Sequence, residues 1–99
     1  MSNTVKTEII PSKHWNGFTF VFSNGWSVSI QQSDAHYCKV GKTAEVAIWD
    51  PQDEWWSYRD GELVKSDEET HVLGWTNADD LARIIALVAP LEVDNATEA

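Results

Sequence analysis

Hydrophobic and polar positions alternate with period two through much of the first half of the chain, and apolar spacing changes to three and four near the C-terminus. The first pattern predicts half-buried strands and the second an amphipathic helix. The clearest alternation is Phe18, Phe20 and Phe22 before Ser23-Asn24-Gly25, followed by Trp26, Val28 and Ile30. A two-residue Asn-Gly loop would pair Val21 with Val28 and scatter the large side chains over both faces. A three-residue loop with Gly25 at positive φ pairs Phe22 with Trp26, Phe20 with Val28 and Phe18 with Ile30. All six then share one face, opposite Thr19, Ser23, Ser27, Ser29, Gln31 and one large exception, Val21. A slip by one residue would destroy this segregation, so the longer loop is expected, with glycine supplying the left-handed position.

The remaining elements follow from the same reasoning. Thr4–Ile10 reads as a charged edge strand stopped by Pro11. Residues 32–43 are irregular, with a turn at Gly41. Ala44–Trp49 and Glu54–Tyr58 form a second hairpin across the four-residue loop Asp50-Pro51-Gln52-Asp53. In that register Trp49 faces Glu54, Ile48 faces Trp55 and Ala47 faces Trp56, and one of the two adjacent tryptophans must point away from the core. Asp60-Gly61 turns the chain into Glu62-Leu63-Val64, and Thr70–Leu73 supplies a last short strand. Leu81, Ile84, Ile85, Leu87, Val88 and Leu91 form a helical stripe, capped by Thr76 or Asn77 and ended by Pro90. The expected fold class is α+β: an antiparallel sheet of four to six strands with the C-terminal helix packed on its phenylalanine-rich face. One domain spanning 1–99 is expected, with 1–3 and 93–99 frayed.

Composition adds a charge asymmetry. The 99 residues carry 16 acids and 7 bases, a net charge of −9. The first 49 residues sum to +1 and the remainder to −10, with eight acids and two bases in 50–69 alone. This balance excludes a conventional binder of nucleic-acid backbone, which draws its affinity from clustered lysine and arginine. Eleven aromatic residues, six of them tryptophan, argue against disorder. There is no signal-peptide pattern and no run of 18 apolar residues, so neither secretion nor a membrane span is expected. A single cysteine, Cys38, excludes an intramolecular disulfide and favours an intracellular chain.

Motifs for catalysis are sparse. The chain lacks a glycine-rich phosphate loop, a nucleophile elbow, a zincin helix and paired Cys-x-x-Cys ligands. His36 and Cys38, close to Asp34, offer the donor types for a thiol–imidazole pair, or for zinc with help from His14 or His71. The plainer reading is a buried thiol beside a surface histidine, and no cofactor is expected. The twin tryptophans carry more weight. An exposed Trp55 or Trp56 ringed by Asp53, Glu54, Asp60 and Glu62 matches a protein-binding hot spot, with an aromatic anchor and a charged rim.

Phe22-Ser23-Asn24-Gly25-Trp26-Ser27-Val28-Ser29-Ile30-Gln31, Tyr37-Cys38 and Thr43-Ala44-Glu45-Val46-Ala47-Ile48-Trp49-Asp50 resemble segments of small acidic proteins encoded by bacteriophages, over roughly residues 18–90. The resemblance implies an accessory phage product acting in the cytoplasm of the infected host by binding a host protein. It carries no catalytic residues across.

The expected function is therefore non-enzymatic protein binding through Asp53, Glu54, Trp55, Trp56, Asp60 and Glu62, with a host protein of basic character as partner. Direct nucleic-acid or membrane binding is not expected, and a homodimer would use the same surface. Two alternatives stand beside it: an acidic mimic of nucleic acid that blocks a DNA- or RNA-binding protein, and a small enzyme or metal protein using His36 and Cys38. A small-molecule site built on the tryptophans is also open.

Overall fold

The computed structural model describes residues 7–12, 16–33, 38–66 and 72–92. Among the described residues seven strands precede one helix: β1 (Glu8–Pro11), β2 (Gly17–Val21), β3 (Ser27–Gln31), β4 (Ala44–Trp49), β5 (Trp55–Arg59), β6 (Glu62–Lys65), β7 (Leu73–Thr76) and α1 (Ala78–Val88). All described pairings are antiparallel, in the order β1-β2-β3-β4-β5-β6, with β7 also paired to β4. The protein is an α+β sheet with a C-terminal helix against one face. The sheet exceeds the expected four to six strands because two short strands share one edge of β4. β5 takes Ile48 and Trp49, while β7 takes Ala44 and Val46.

The first hairpin has the register that the alternation demands, with Phe18 opposite Ile30 and Phe20 opposite Val28. Phe22 donates its N–H to the Trp26 carbonyl at 2.9 Å, Gly25 donates to the Phe22 carbonyl at 2.9 Å, and Gly25 sits at φ 89°. A side chain there would be strained. The Asp60-Gly61 turn has both central residues at positive φ, 53° and 83°, as a two-residue type I′ loop requires. Pro11, expected to stop the first strand, instead pairs with Phe18 inside it. An edge strand tolerates the missing N–H, and Ser12 resumes the ladder by donating to Gly17 at 3.1 Å.

The core lies between sheet and helix. Val28, Val46, Ile48, Ile84 and Val88 are fully buried and join Trp26 and Ala44, with Phe22, Ile30, Trp56, Tyr58, Leu63, Leu73 and Leu81 packed around them. Asn77, one of the two expected caps, accepts the Asp80 N–H at 2.8 Å, and Asp79 and Asp80 occupy the favourable first turn. Thr76 instead donates its hydroxyl to Leu73 at 3.1 Å.

The far end of α1 is held by a residue from a distant turn. Asn24 is buried between Phe22 and Trp26, and its side-chain amide donates to the carbonyls of Val88 at 2.9 Å and Leu91 at 2.8 Å. Its Oδ1 accepts the Trp26 N–H at 2.9 Å. The hairpin turn thereby adds a donor to the carbonyls at the helix terminus, where Val88 also accepts the Leu91 N–H at 3.2 Å. α1 thus runs diagonally, from the β7 end of the sheet to the β2–β3 turn. Leu91, expected to join the buried stripe, lies past the helix and is exposed.

β7 departs from regular pairing. Between the Ala44–Thr76 and Val46–Leu73 pairs, Glu45 alone faces both Gly74 and Trp75, a β-bulge. Trp75 adopts φ 55°, a left-handed conformation costing a bulky residue about 1–3 kcal/mol.

Candidate functional site

The β4–β5 hairpin corrects the expected four-residue loop. Trp49 faces Trp55 and Ile48 faces Trp56, one residue out of the anticipated register. Asp53 takes the left-handed position at φ 62°, and the loop repeats the hydrogen bonds of the β2–β3 turn. Asp50 donates to Glu54, and Asp53 to Asp50, both at 2.9 Å. Asp53 thus does the work of Gly25, because aspartate tolerates that conformation better than most residues.

Asp50 locks the arrangement. One carboxylate oxygen accepts the N–H groups of Gln52 at 2.9 Å and Glu54 at 3.0 Å, and the other accepts the Trp56 indole N–H at 2.9 Å. This aspartate is buried, so it belongs to the frame and not to a charged surface. Asp50→Ala is expected to cost about 1–3 kcal/mol by leaving those donors without an acceptor. Thermal unfolding and a shift in tryptophan emission will report it.

The six residues singled out for protein binding divide between two faces and two ends of this hairpin. Trp56 turns toward the helix and lies 5.3 Å from Trp26, ring centre to ring centre. Trp55 turns to the opposite face, 4.8 Å from Trp49, and both are half-buried. Asp53 and Glu54 are exposed at one end, where Glu54 pairs with Lys65. The Glu54 hydrogen bond holds the Lys65 pKa above its ordinary value; desolvation opposes it, and the weaker attractions of the Glu54 and Asp50 charges add to it. Asp60 and Glu62 are exposed at the other end, a five-residue strand or roughly 17 Å away. Asp67, Glu68 and Glu69 lie outside the described residues.

A different surface gathers apolar groups. An eleven-residue helix is about 16 Å long and 10 Å wide, whereas six strands span roughly 24 Å. The β1–β2 side of the aromatic face therefore extends past the cover. Ile9 is 66% exposed and Phe18 50%, and Phe20 is half-buried. The expectation that the helix would cover the phenylalanines is met by Phe22, which packs on the core, and not by Phe18. Two adjoining recesses of about 450 and 550 Å³ run along the helix here. Phe18, Ile30 and Leu81 line the first, and Ile9, Phe20 and Ile85 the second. Lys42 sits at one end and Glu8 at the other. Neither recess is lined by Trp55 or Trp56.

Of the thiol–imidazole reading, Asp34, His36, His14 and His71 fall outside the described residues. Cys38 is buried, with its Sγ 3.5 Å from the Ser33 carbonyl. Among the described residues no group of three or more histidine, cysteine or acidic side chains is placed to hold a metal ion, and no helix is long and apolar enough to cross a membrane.

Trp75 was not legible as a surface residue. The available signal was the adjacent Gly74 in a short strand pattern, which suggests a bulge. Compared with models of protein families, with curated proteins and with solved structures, the chain matches none.

Proposed function

We propose that this chain is a non-enzymatic protein-binding module that takes an extended, cationic and apolar segment of another protein along the groove beside α1. The observation that carries the proposal is the exposure of Ile9 and Phe18 on the core-facing side of the sheet, continuous with Phe20, Leu81 and Ile85. Contiguous apolar surface of this kind is a marker of interaction sites. β1 stands at the edge of the described sheet, so an incoming strand can pair with it and direct alternate side chains into the groove. The net charge of −9 favours a basic partner, raising its rate of encounter, and opposes a second copy of the same chain. On the resemblance to phage proteins, that partner is a host protein and the module modulates it in the host cytoplasm. The acidic hairpin ends at Asp53 and at Asp60 and Glu62 serve in long-range attraction, with Trp55 outside the contact.

The test is selection of random peptides on the folded protein. Enriched peptides are expected to combine lysine or arginine with apolar residues at alternate positions, and to shift the backbone amide signals of Glu8–Ile10 and Phe18–Phe20. Phe18→Ser should lower the thermal midpoint only modestly, by about 1 kcal/mol in stability, because half of the ring is already in water, and weaken the selected peptide by at least about tenfold. A footprint on Trp55 and Glu62 would return the contact to the acidic hairpin. Binding wholly lost in high salt and indifferent to Phe18 would favour mimicry of nucleic acid. A dimer that Phe18→Ser dissociates would assign the groove to self-association.

A further inference from the structure

We propose that Trp75 is a recognition residue, presented by the β4–β7 bulge to stack on an arginine side chain of a protein partner. Three observations converge on it. Trp75 is 62% exposed, second only to Ile9 among the exposed large apolar residues, and no aromatic ring stacks on it among the described residues. Its backbone lies at φ 55°, where glycine or asparagine is at ease and a bulky side chain is not. The bulge sets it opposite Glu45, two residues before the Asn77 cap of α1.

Exposure means that the indole returns little packing energy to the fold, and the left-handed backbone means that its presence is unfavourable locally. Strain retained without a structural return is the pattern of a functional position. The chemistry of the ligand follows from charge. Tryptophan has the most favourable aromatic face for a cation, and guanidinium stacks on it in a way that ammonium does not. Glu45 across the bulge and the net charge of −9 favour a cation and disfavour a nucleic-acid strand, which would otherwise be the natural guest of an exposed indole. Trp75 itself does not line the groove, although Thr76, Asn77 and Ala78 beside it line the first recess.

The test uses the intact protein with an oligoarginine peptide as probe and an oligocitrulline peptide, nearly isosteric and uncharged, as control. Trp75→Gly preserves the net charge, so the general attraction of an acidic protein for a basic peptide is the same in both proteins. Expected are an undiminished or raised thermal midpoint, an oligoarginine affinity lowered at least about fivefold, and no measurable affinity for oligocitrulline in either protein. Trp75→Asn, which also suits the backbone, should behave like the glycine variant, and Trp75→Phe should retain part of the affinity. Midpoints lowered in both the glycine and asparagine variants would make Trp75 a packing residue and overturn the proposal. So would an oligoarginine affinity within about twofold of the unaltered protein, or equal binding of oligocitrulline. Phe18→Ser should leave oligoarginine binding intact, so failure at Trp75 and failure at the groove are separately visible.

Discussion

Ile84→Ala is expected to destabilise the protein by about 2–5 kcal/mol, the range for truncating a buried isoleucine and leaving a cavity. Ile84 is fully buried and belongs to the cluster of Trp26, Val28, Val46, Ile48 and Val88, where helix and sheet meet. An eleven-residue helix has little stability of its own in water. Loss of its central anchor therefore weakens the seating of the whole element, and with it the groove wall at Leu81 and Ile85. Urea denaturation should show a lower midpoint. The variant should also bind groove-selected peptides more weakly, even where most molecules remain folded. An unchanged midpoint would mean that the helix is not seated through Ile84.

Asn24→Ala should be nearly as costly, although it removes only a small polar side chain. The amide carries out three tasks at once, accepting the Trp26 N–H and donating to the Val88 and Leu91 carbonyls. Deleting it leaves the buried Trp26 N–H without its acceptor and removes both donations to the helix terminus, and roughly 2–4 kcal/mol is expected from those losses together. Asn24→Asp separates the tasks. It keeps the acceptor for Trp26 but sets a carboxylate against carbonyls at the negative end of the helix dipole, so at neutral pH it should be the worse of the two. Denaturation midpoints in the order wild type, alanine, aspartate would establish that donation to the helix terminus is the dominant task. An aspartate variant more stable than the alanine variant would show instead that the bond to Trp26 matters most.

The two substitutions also show which parts of the molecule were legible in its sequence. The face shared by Phe18, Phe20, Phe22, Trp26, Val28 and Ile30 could be read because strand periodicity and the glycine at position 25 are local constraints. The helix could be read from its apolar spacing, and its cap only as far as Thr76 or Asn77, of which Asn77 serves. That Asn24 clasps the end of this helix could not be read. Asn-Gly in a turn is sufficiently explained by the turn, and its second role joins residues 64 positions apart. The β4–β5 register was missed for a related reason. A left-handed residue is expected at glycine, and here Asp53 takes the position while Asp50 secures the loop through Trp56.

The candidate site divides along the same line. Acidic residues and adjacent tryptophans drew attention to positions 53–62, yet successive residues of a strand face opposite ways, and the two turns lie at opposite ends of it. Composition therefore assembled a patch that the hairpin takes apart.

Turn geometry, strand faces, the helix and the excess of negative charge were all decided by the order of residues, since each depends on neighbours within a few positions. Which apolar residues stay in water was decided only when the elements packed. A narrow helix crossing a wider sheet on the diagonal cannot cover all of it, and a bulge opposite Glu45 turns Trp75 outward. Both outcomes depend on distances between remote segments, which no local pattern encodes.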